Sequence, residues 1–471
     1  MEGTSKLCIR ITEQQPDRMA HVAPVQRIPP EILSEIFLQC VDTDDHTLAH
    51  AGRILSPFLF GKICSRWRSV SLSTPRLWAS FNLTLYQRRQ SKVTVARTTL
   101  MAKNWLARAG ACSLSISFAS YLDSQISLQP LIQVFVLHCD RWRDINFSLP
   151  QSEIMHLSPA RNCMPRLQRL VFSLRSDLLS GTEAIDTFEY APQLHSLDLT
   201  NMVPSSFKVP YYQLKHSDLR GRGADGILQF LSLTSNLETC KIAPMTSDLH
   251  RPPVLLPNLR SIDMTIRGDL SNFFDRLLLP KLRELHVTLW NVPWTAVPQF
   301  ISLISRGSLE KLTFYSNPTN RHPYDGDMIK VLQAVPSIVQ LELIGSTPQC
   351  MTKLFLAQFT CHQQSNDADP PMILPMLRSI TVDYTASFFD ILAFADAIQS
   401  RMVDGTGQSA LEAVSGACLK TVQIRCFPPF EAKTSESLGS IGLSRLQQLQ
   451  NLGVDLSIIY GRNGCGEFTK L

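Results

Sequence analysis

The sequence predicts an α/β protein: a small N-terminal three-helix module followed by a long solenoid of short parallel strands, with helices and irregular segments as returns. Three observations carry this expectation. A motif of proline, any residue, leucine, two polar residues, leucine, any residue and an apolar residue recurs along most of the chain. Leucine supplies 64 of 471 residues, while charged residues make up only 18%, against roughly 25% in an ordinary soluble domain. Helix-start signals cluster in the first eighty residues, ahead of the recurring motif.

The N-terminal elements follow in order. Residues 1–26 are polar and aperiodic and are expected to be disordered. Ile28-Pro29-Pro30-Glu31 is a helix start, because proline loses no hydrogen bond in the first turn and a carboxylate suits the positive end of the helix. Ile32, Leu33, Ile36, Phe37 and Cys40 then fall at helical spacing. Residues 41–55 are more polar and read as a long loop. Ser56-Pro57 starts a second helix, on which Ile63, Trp67 and Val70 share a face. Ser73-Thr74-Pro75 is a third start signal, ahead of Leu77 and Trp78.

Ile28-Pro29-Pro30-Glu31-Ile32-Leu33, Ile36-Phe37, Ile63-Cys64-Ser65-Arg66-Trp67-Arg68 and Pro75-Arg76-Leu77-Trp78 together resemble an F-box, more narrowly the F-box-like domain of a large fungal family of F-box/leucine-rich-repeat proteins. The resemblance covers residues 27–80. Ile28 stands where the family has Leu and Ile63 where it has Val, and the stretch 41–55 is longer than in a minimal F-box. It implies a three-helix module that docks on the Skp-family adaptor, and through it the cullin, of an SCF ubiquitin ligase. The implied adaptor-binding set is Ile28, Pro29, Pro30, Ile32, Leu33, Ile36, Phe37, Ile63, Cys64 and Trp67. Of these, Ile32, Leu33, Ile36 and Phe37 would divide between the adaptor and the module's own core. A module this small hides only about 60% of its surface when folded, so some of these side chains should need a partner or the next domain.

The recurring motif has six close copies, beginning at Pro165, Pro192, Pro257, Pro280, Pro336 and Pro375. Looser copies start at Leu214, Leu237, Leu309 and Leu419, and Trp142-Ile145-Phe147 fits the same apolar frame. First-leucine positions from Leu167 to Ile338 are spaced 20 to 29 residues apart, the leucine-rich-repeat range. The next two gaps, 39 and 42 residues, require insertions or a missed unit. The second leucine and the apolar residue two places on point to one side of a strand. Such a strand cannot bury that side alone, and stacking neighbours solves the problem. Return segments Leu270–Leu279 and Phe388–Ile398 have helix-like periodicity.

Residues 81–110 read as a linker region whose helix, through Trp105-Leu106, ends at Gly110. Leu114-Ser115-Ile116-Ser117-Phe118 alternates as a strand, taken as the first of a degenerate solenoid spanning 111–455, with a C-terminal tail over 456–471. An alternative for 81–110 is a linker helix independent of the repeats.

Composition narrows the function. A net charge of +5 over this length does not suit a dedicated nucleic-acid binder. No window reaches 18 uninterrupted apolar residues, so no membrane span is expected. Twelve cysteines without a C-x-x-C pair read as reduced thiols of a cytoplasmic or nuclear protein. Gly221, Gly223 and Gly226 match G-x-G-x-x-G but lack the strands of a dinucleotide unit and are better explained by a turn between repeats. His46 and His50 beside Asp42, Asp44 and Asp45 lack the H-E-x-x-H glutamate. His138-Cys139-Asp140 and Cys361-His362 are only sequence neighbours. No cofactor, metal or catalytic residue is expected. The outward strand positions Arg169, Asp198, Lys241, Asp263, Glu284, His286, Lys311, Glu342 and Thr381 are mixed in sign and suit a protein target. The expected function is substrate recognition in a cullin–RING ligase; the alternative is a non-catalytic interaction scaffold outside a ligase.

Overall fold

The computed structural model describes residues 24–41, 56–86, 92–122, 126–175, 184–200, 206–245, 251–267, 270–290, 297–316, 325–345, 352–361, 372–384, 390–402, 419–426, 440–461 and 468–470. Most of the expected disordered N-terminus, nearly all of the 41–55 loop and the His46/His50 pair lie outside the described residues. The chain divides into two compact units, residues 1–134 and 135–471.

Unit 1 opens with three short helices, α1 (Pro30–Cys40), α2 (Ser56–Ile63) and α3 (Ser65–Leu72), followed by a 3-10 turn at Pro75–Trp78. Pro30 begins α1, and the amide of Leu33 closes the first turn onto the Pro29 carbonyl at 3.0 Å. Cys64 separates α2 from α3 and caps the latter, its Sγ accepting from the Trp67 amide at 3.4 Å. Aromatic packing joins the helices. The Phe37 ring stacks on Phe60 at 4.1 Å and meets Trp67 at 4.9 Å. The Trp78 indole N–H donates to the Ser71 carbonyl at 2.8 Å, which pins the 3-10 turn to α3.

A strand, β1 (Ser80–Tyr86), comes before the long helix α4 (Lys92–Arg108), so the region expected as a linker helix also contains a strand. Gly110 follows α4 with φ +56°, a left-handed conformation that glycine adopts at little cost. The next strand, β2 (Leu114–Tyr121), pairs in parallel with β1 in the register Ser80–Ser115 to Tyr86–Tyr121. The strand expected at 114 is therefore the second in the chain. Leu114, Ile116 and Phe118 alternate inward on it. The helix α5 (Gln129–Val136) follows.

Unit 2 is a parallel sheet with returns between its strands. Its strands are β3 (Trp142–Pro150), β4 (Arg169–Arg175), β5 (Ser196–Thr200), β6 (His216–Gly223), β7 (Thr239–Met245), a two-residue β8 (Val254–Leu255), β9 (Ser261–Arg267), a two-residue β10 (Leu277–Leu278), β11 (Glu284–Trp290), β12 (Lys311–Ser316), β13 (Gln340–Ile344), β14 (Ser379–Tyr384), β15 (Thr421–Cys426), β16 (Asp455–Gly461) and β17 (Phe468–Lys470). From β3 to β16 the strands pair in chain order and in parallel, β8 and β10 forming a separate parallel pair; β17 adds antiparallel to β16. The returns carry α6 (Ala224–Leu233), α7 (Ser271–Phe274), α8 (Val297–Ile304), α9 (Asp325–Gln333), α10 (Lys353–Phe359), α11 (Ile391–Gln399) and α12 (Ser440–Asn451). The Leu270–Leu279 return holds only the single turn α7 before β10.

The motif maps onto this sheet position by position. In all ten units the strand begins two residues after the first leucine or isoleucine, from Leu167 before Arg169 to Leu419 before Thr421. Those first positions are all buried. The second leucines align in one unbroken ladder from Ile145 through Leu170, Leu197, Ser217, Cys240, Ile262 and Leu285 to Leu312, Leu341, Ile380, Val422 and Leu456. Ser217 and Cys240 take the second-leucine place in two of the looser copies, which also have Tyr212 and Ser235 in place of the proline. The Ser217 hydroxyl stays buried by donating to the Leu197 carbonyl at 2.7 Å.

The motif's proline has a local cause. The amide of the first leucine donates back three residues: Leu194 to Ala191 at 3.1 Å, Leu282 to Leu279 at 3.3 Å, Leu377 to Leu374 at 3.2 Å. This is a β-turn with proline at its second position, where the ring's fixed φ matches the turn. The residue after the first leucine then hydrogen-bonds main chain to main chain with its counterpart in the previous repeat, as in Arg260 to Glu238, Arg283 to Arg260 and Glu310 to Arg283, each 2.8 Å.

Both long gaps are insertions. β13 pairs directly with β14, and β14 with β15, so no unit is missing there. The sheet also continues beyond residue 455: β16 pairs with β15 from Asp455 to Tyr460, which places a strand in the segment expected to be a tail.

Candidate protein-docking surfaces

The sequence-derived adaptor set separates into two groups in unit 1. Leu33 and Phe37, one turn apart on α1, are fully buried. Ile32 and Ile36, also one turn apart, are 54% and 39% exposed. Pro29 and Pro30 are exposed at the start of the same helix, and Ile28 is half-buried. Ile63 is exposed at the end of α2, while Cys64 and Trp67 are half-buried and serve the cap and the aromatic cluster. Leu33 and Phe37 are thus core residues of the module. A mutation meant to disrupt docking belongs at Ile32 and Ile36.

Side-chain contacts fix the orientation of α1. The Arg66 guanidinium donates to the Ile28 carbonyl, tying α3 to the residue that precedes the prolines. The Ser34 hydroxyl meets the Thr74 hydroxyl at 2.9 Å, and Arg76 pairs with Glu35 at 3.2 Å. These contacts hold Ile32 and Ile36 on an immobilised helix, and an exposed apolar pair so held is the kind of feature that marks a contact surface. Sequence reasoning missed Leu59, 45% exposed, which lies one turn before Ile63 on α2. Its helical spacing from Ile63 was the available signal.

The second surface is the polar side of the unit 2 sheet. Asp198, Asp218, Lys241, Asp263 and His286 are consecutive neighbours in register. The Arg169 guanidinium donates to Asp198 at 3.0 Å, and Arg220 binds the Asp218 carboxylate with Nε 2.9 Å from both oxygens. Asp198 also accepts from the Asp218 amide at 2.9 Å. Burial raises the Asp198 pKa, although Arg169 opposes the shift. Further along, Lys311 pairs with Glu342 at 2.8 Å, and Thr313 and Gln340 donate to the same carboxylate. Burial alone would raise Glu342, but these donors pull its pKa below the usual value. Thr381 keeps its expected place in this row, in register with Glu342 and Gln423, but its side chain is buried beside Gln423. The row remains mixed in sign, with most charges already paired.

The chemical motifs resolve individually. Gly221 and Gly223 end β6 and Gly226 lies in the first turn of α6, so the glycines mark a strand-to-helix junction, not the turn between repeats expected from sequence. Asp225 in that first turn pairs with Arg251 at 3.2 Å, so the helix start carries a negative charge of its own. Burial, with Cys163 and Asp140 nearby, pushes the Cys139 thiol up to about 11, the opposite of an activated nucleophile. Among the described residues no His, Cys, Asp and Glu cluster could hold a metal, and no helix is long and apolar enough to cross a membrane.

No known family model matches the chain, and no curated protein matches it.

Proposed function

We propose that the protein is the substrate-recognition subunit of an SCF-type ubiquitin ligase. In this reading the module over 27–80 is F-box-like and docks the Skp-family adaptor, and through it the cullin. The parallel repeats of unit 2 are leucine-rich repeats that hold a protein target. The chain performs no chemistry; it contributes proximity, because ubiquitin transfer belongs to partner enzymes. A cytoplasmic or nuclear location follows from this role.

The observation that carries the reading is the division of α1. The F-box-like sequence stretch supplies two buried and two exposed apolar residues on one helix, with exposed Pro29 and Pro30 at its start. A free-standing module would gain nothing from isoleucines at Ile32 and Ile36, whereas a docking helix needs an apolar face. The paired, mixed-sign row from Arg169 to Glu342 supports a protein target over a nucleic acid, which would call for an uninterrupted basic track.

Affinity purification of the intact chain tests this. Wild-type protein should co-purify with adaptor and cullin, and an Ile32→Asp/Ile36→Asp variant should not. Wild-type protein that brings down neither component would sink the ligase reading and favour the scaffold outside a ligase.

A further inference from the structure

We propose that a second face of unit 1, a cleft bordered by α2, α3 and the C-terminal end of α4, binds an acidic segment of a partner protein. The cleft has a volume of about 510 Å³. Phe58, Leu72 and Trp78 give it apolar walls, and Lys62, Arg68 and Arg108 place three cations around them. Among the described residues no acidic side chain lines it. Phe58, Gly61 and Lys62 face the cleft at helical spacing on α2, whereas Leu59 and Ile63 occupy the next face of that helix. The cleft is therefore a different surface from the exposed isoleucines, and it does not depend on the ligase reading.

The three cations share a property that sets them apart from many basic groups in this chain. Arg76, Arg161, Arg169, Arg220, Arg283 and Lys311 all pair with carboxylates. Lys62, Arg68 and Arg108 form no ion pair among the described residues. Arg108 instead lies over the Trp78 ring at 4.5 Å and the Phe58 ring at 5.7 Å. Phe58 and Trp78 are themselves edge to face at 5.3 Å, so the guanidinium rests on a rigid aromatic surface. Arg68 commits Nε to the Gly61 carbonyl at 2.8 Å, which fixes its side chain beside the cleft and leaves its terminal amino groups for an acceptor.

Three clustered like charges repel one another, and an occupant bearing carboxylates relieves that repulsion while gaining charge-assisted hydrogen bonds. Leu72, 42% exposed at the cleft, offers an apolar contact in addition. The occupant that satisfies both features is a chain segment with two or more carboxylates flanking an apolar side chain. The apolar side chain would lie against Leu72 and Phe58, and the carboxylates would reach Arg68, Arg108 and Lys62.

Fluorescence anisotropy on the full chain tests the proposal, with a labelled glutamate-rich peptide carrying one central phenylalanine as the probe. Saturable binding should weaken about tenfold or more in the Lys62→Glu/Arg68→Glu variant and fall as salt is raised. Leu72→Asp should weaken it as well, and Ile32→Asp should leave it unchanged. Near-UV circular dichroism of the tryptophans reports whether each variant retains its packing. Absence of saturable binding to the wild type, equal binding of a peptide with serines in place of the glutamates, or wild-type affinity in a folded Lys62→Glu/Arg68→Glu protein would each overturn the proposal. Displacement of the peptide by low concentrations of single-stranded polyuridine would overturn it in favour of a nucleic-acid site.

Discussion

The Arg401 guanidinium lies 4.0 Å from the centre of the Phe359 ring, and both side chains are fully buried. Arg401 donates to three main-chain carbonyls, those of Phe359, Ile373 and Leu374, the last at 2.8 Å. Leu374 has φ +53°, a strained conformation for leucine, so the arginine holds a backbone that would not hold itself. Burial lowers the Arg401 pKa to about 10, which still leaves it charged at neutral pH. Replacing it with a neutral residue strands three buried acceptors. Arg401→Met should therefore cost about 3 kcal/mol or more in urea unfolding of the full chain. An unchanged midpoint would show that the clamp is dispensable.

The two groups on α1 predict opposite outcomes. Phe37→Ala removes a ring stacked on Phe60 and packed on Trp67, and should cost about 3–5 kcal/mol. Ile32→Asp changes an exposed site and should shift stability by no more than about 0.5 kcal/mol. Measuring both by denaturant unfolding separates loss of fold from loss of docking. A large stability loss in Ile32→Asp would mean that the exposed face is structural.

Asp383 predicts a pH dependence. Burial raises its pKa to about 6, against the opposing effects of the Gly345 amide, which donates to it at 2.7 Å, and the positive charge of Arg425. Its folded pKa thus exceeds its unfolded value of 3.8. Between those values the unfolded chain has released the proton and the folded chain keeps it, so this group's contribution to stability declines as pH rises through the window. The full effect is on the order of 3 kcal/mol. Asp383→Asn should flatten that part of the stability-versus-pH curve, with the difference between the proteins changing most between about pH 4 and pH 6. Parallel curves for the two proteins would exclude the effect.

The proline of the repeat turn has a smaller, calculable role. Pro257 precedes Leu259, whose amide closes the turn onto Leu256 at 3.4 Å. Pro257→Ala leaves that bond intact and frees the unfolded chain, so it should cost about 0.4–1 kcal/mol. A larger loss would mean that the ring itself packs against a neighbour.

Much of the sheet was legible in the sequence because its period-two burial repeats with a fixed preamble. Leu167 or Leu282 announces a strand two residues ahead, and even the loose copies at Leu214 and Leu237 do so. The strand β1 was not legible: Pro75-Arg76-Leu77 supplies the proline and leucine, and the Leu77 amide closes onto Thr74 at 3.1 Å, but the strand starts three residues after Leu77 instead of two, so the signal was absorbed into the helical module. The continuation at Asp455 was hidden because Gly453 stands where the motif has leucine. On α1, periodicity identified four apolar residues, but the narrow burial of a short helix, with Leu33 and Phe37 inward and Ile32 and Ile36 outward, depends on where Phe60 and Trp67 sit. The basic cleft was not legible at all, because Lys62, Arg68 and Arg108 meet only through the packing of Trp78 and Phe58.

The turn that precedes most of the strands, together with the main-chain bonds to the preceding strand, makes the sheet insensitive to the distance travelled since the last one. Main-chain bonds such as Arg378 to Val339 and Lys420 to Arg378 re-form at 2.8 Å across the two longest intervals, as they do across the short ones. Each strand is placed by its own preamble and its predecessor, not by counting residues. Returns can therefore lengthen, shorten or change their secondary structure without moving the polar row on the opposite side. Variation accumulated in the returns of unit 2 is insulated from the geometry of its polar row.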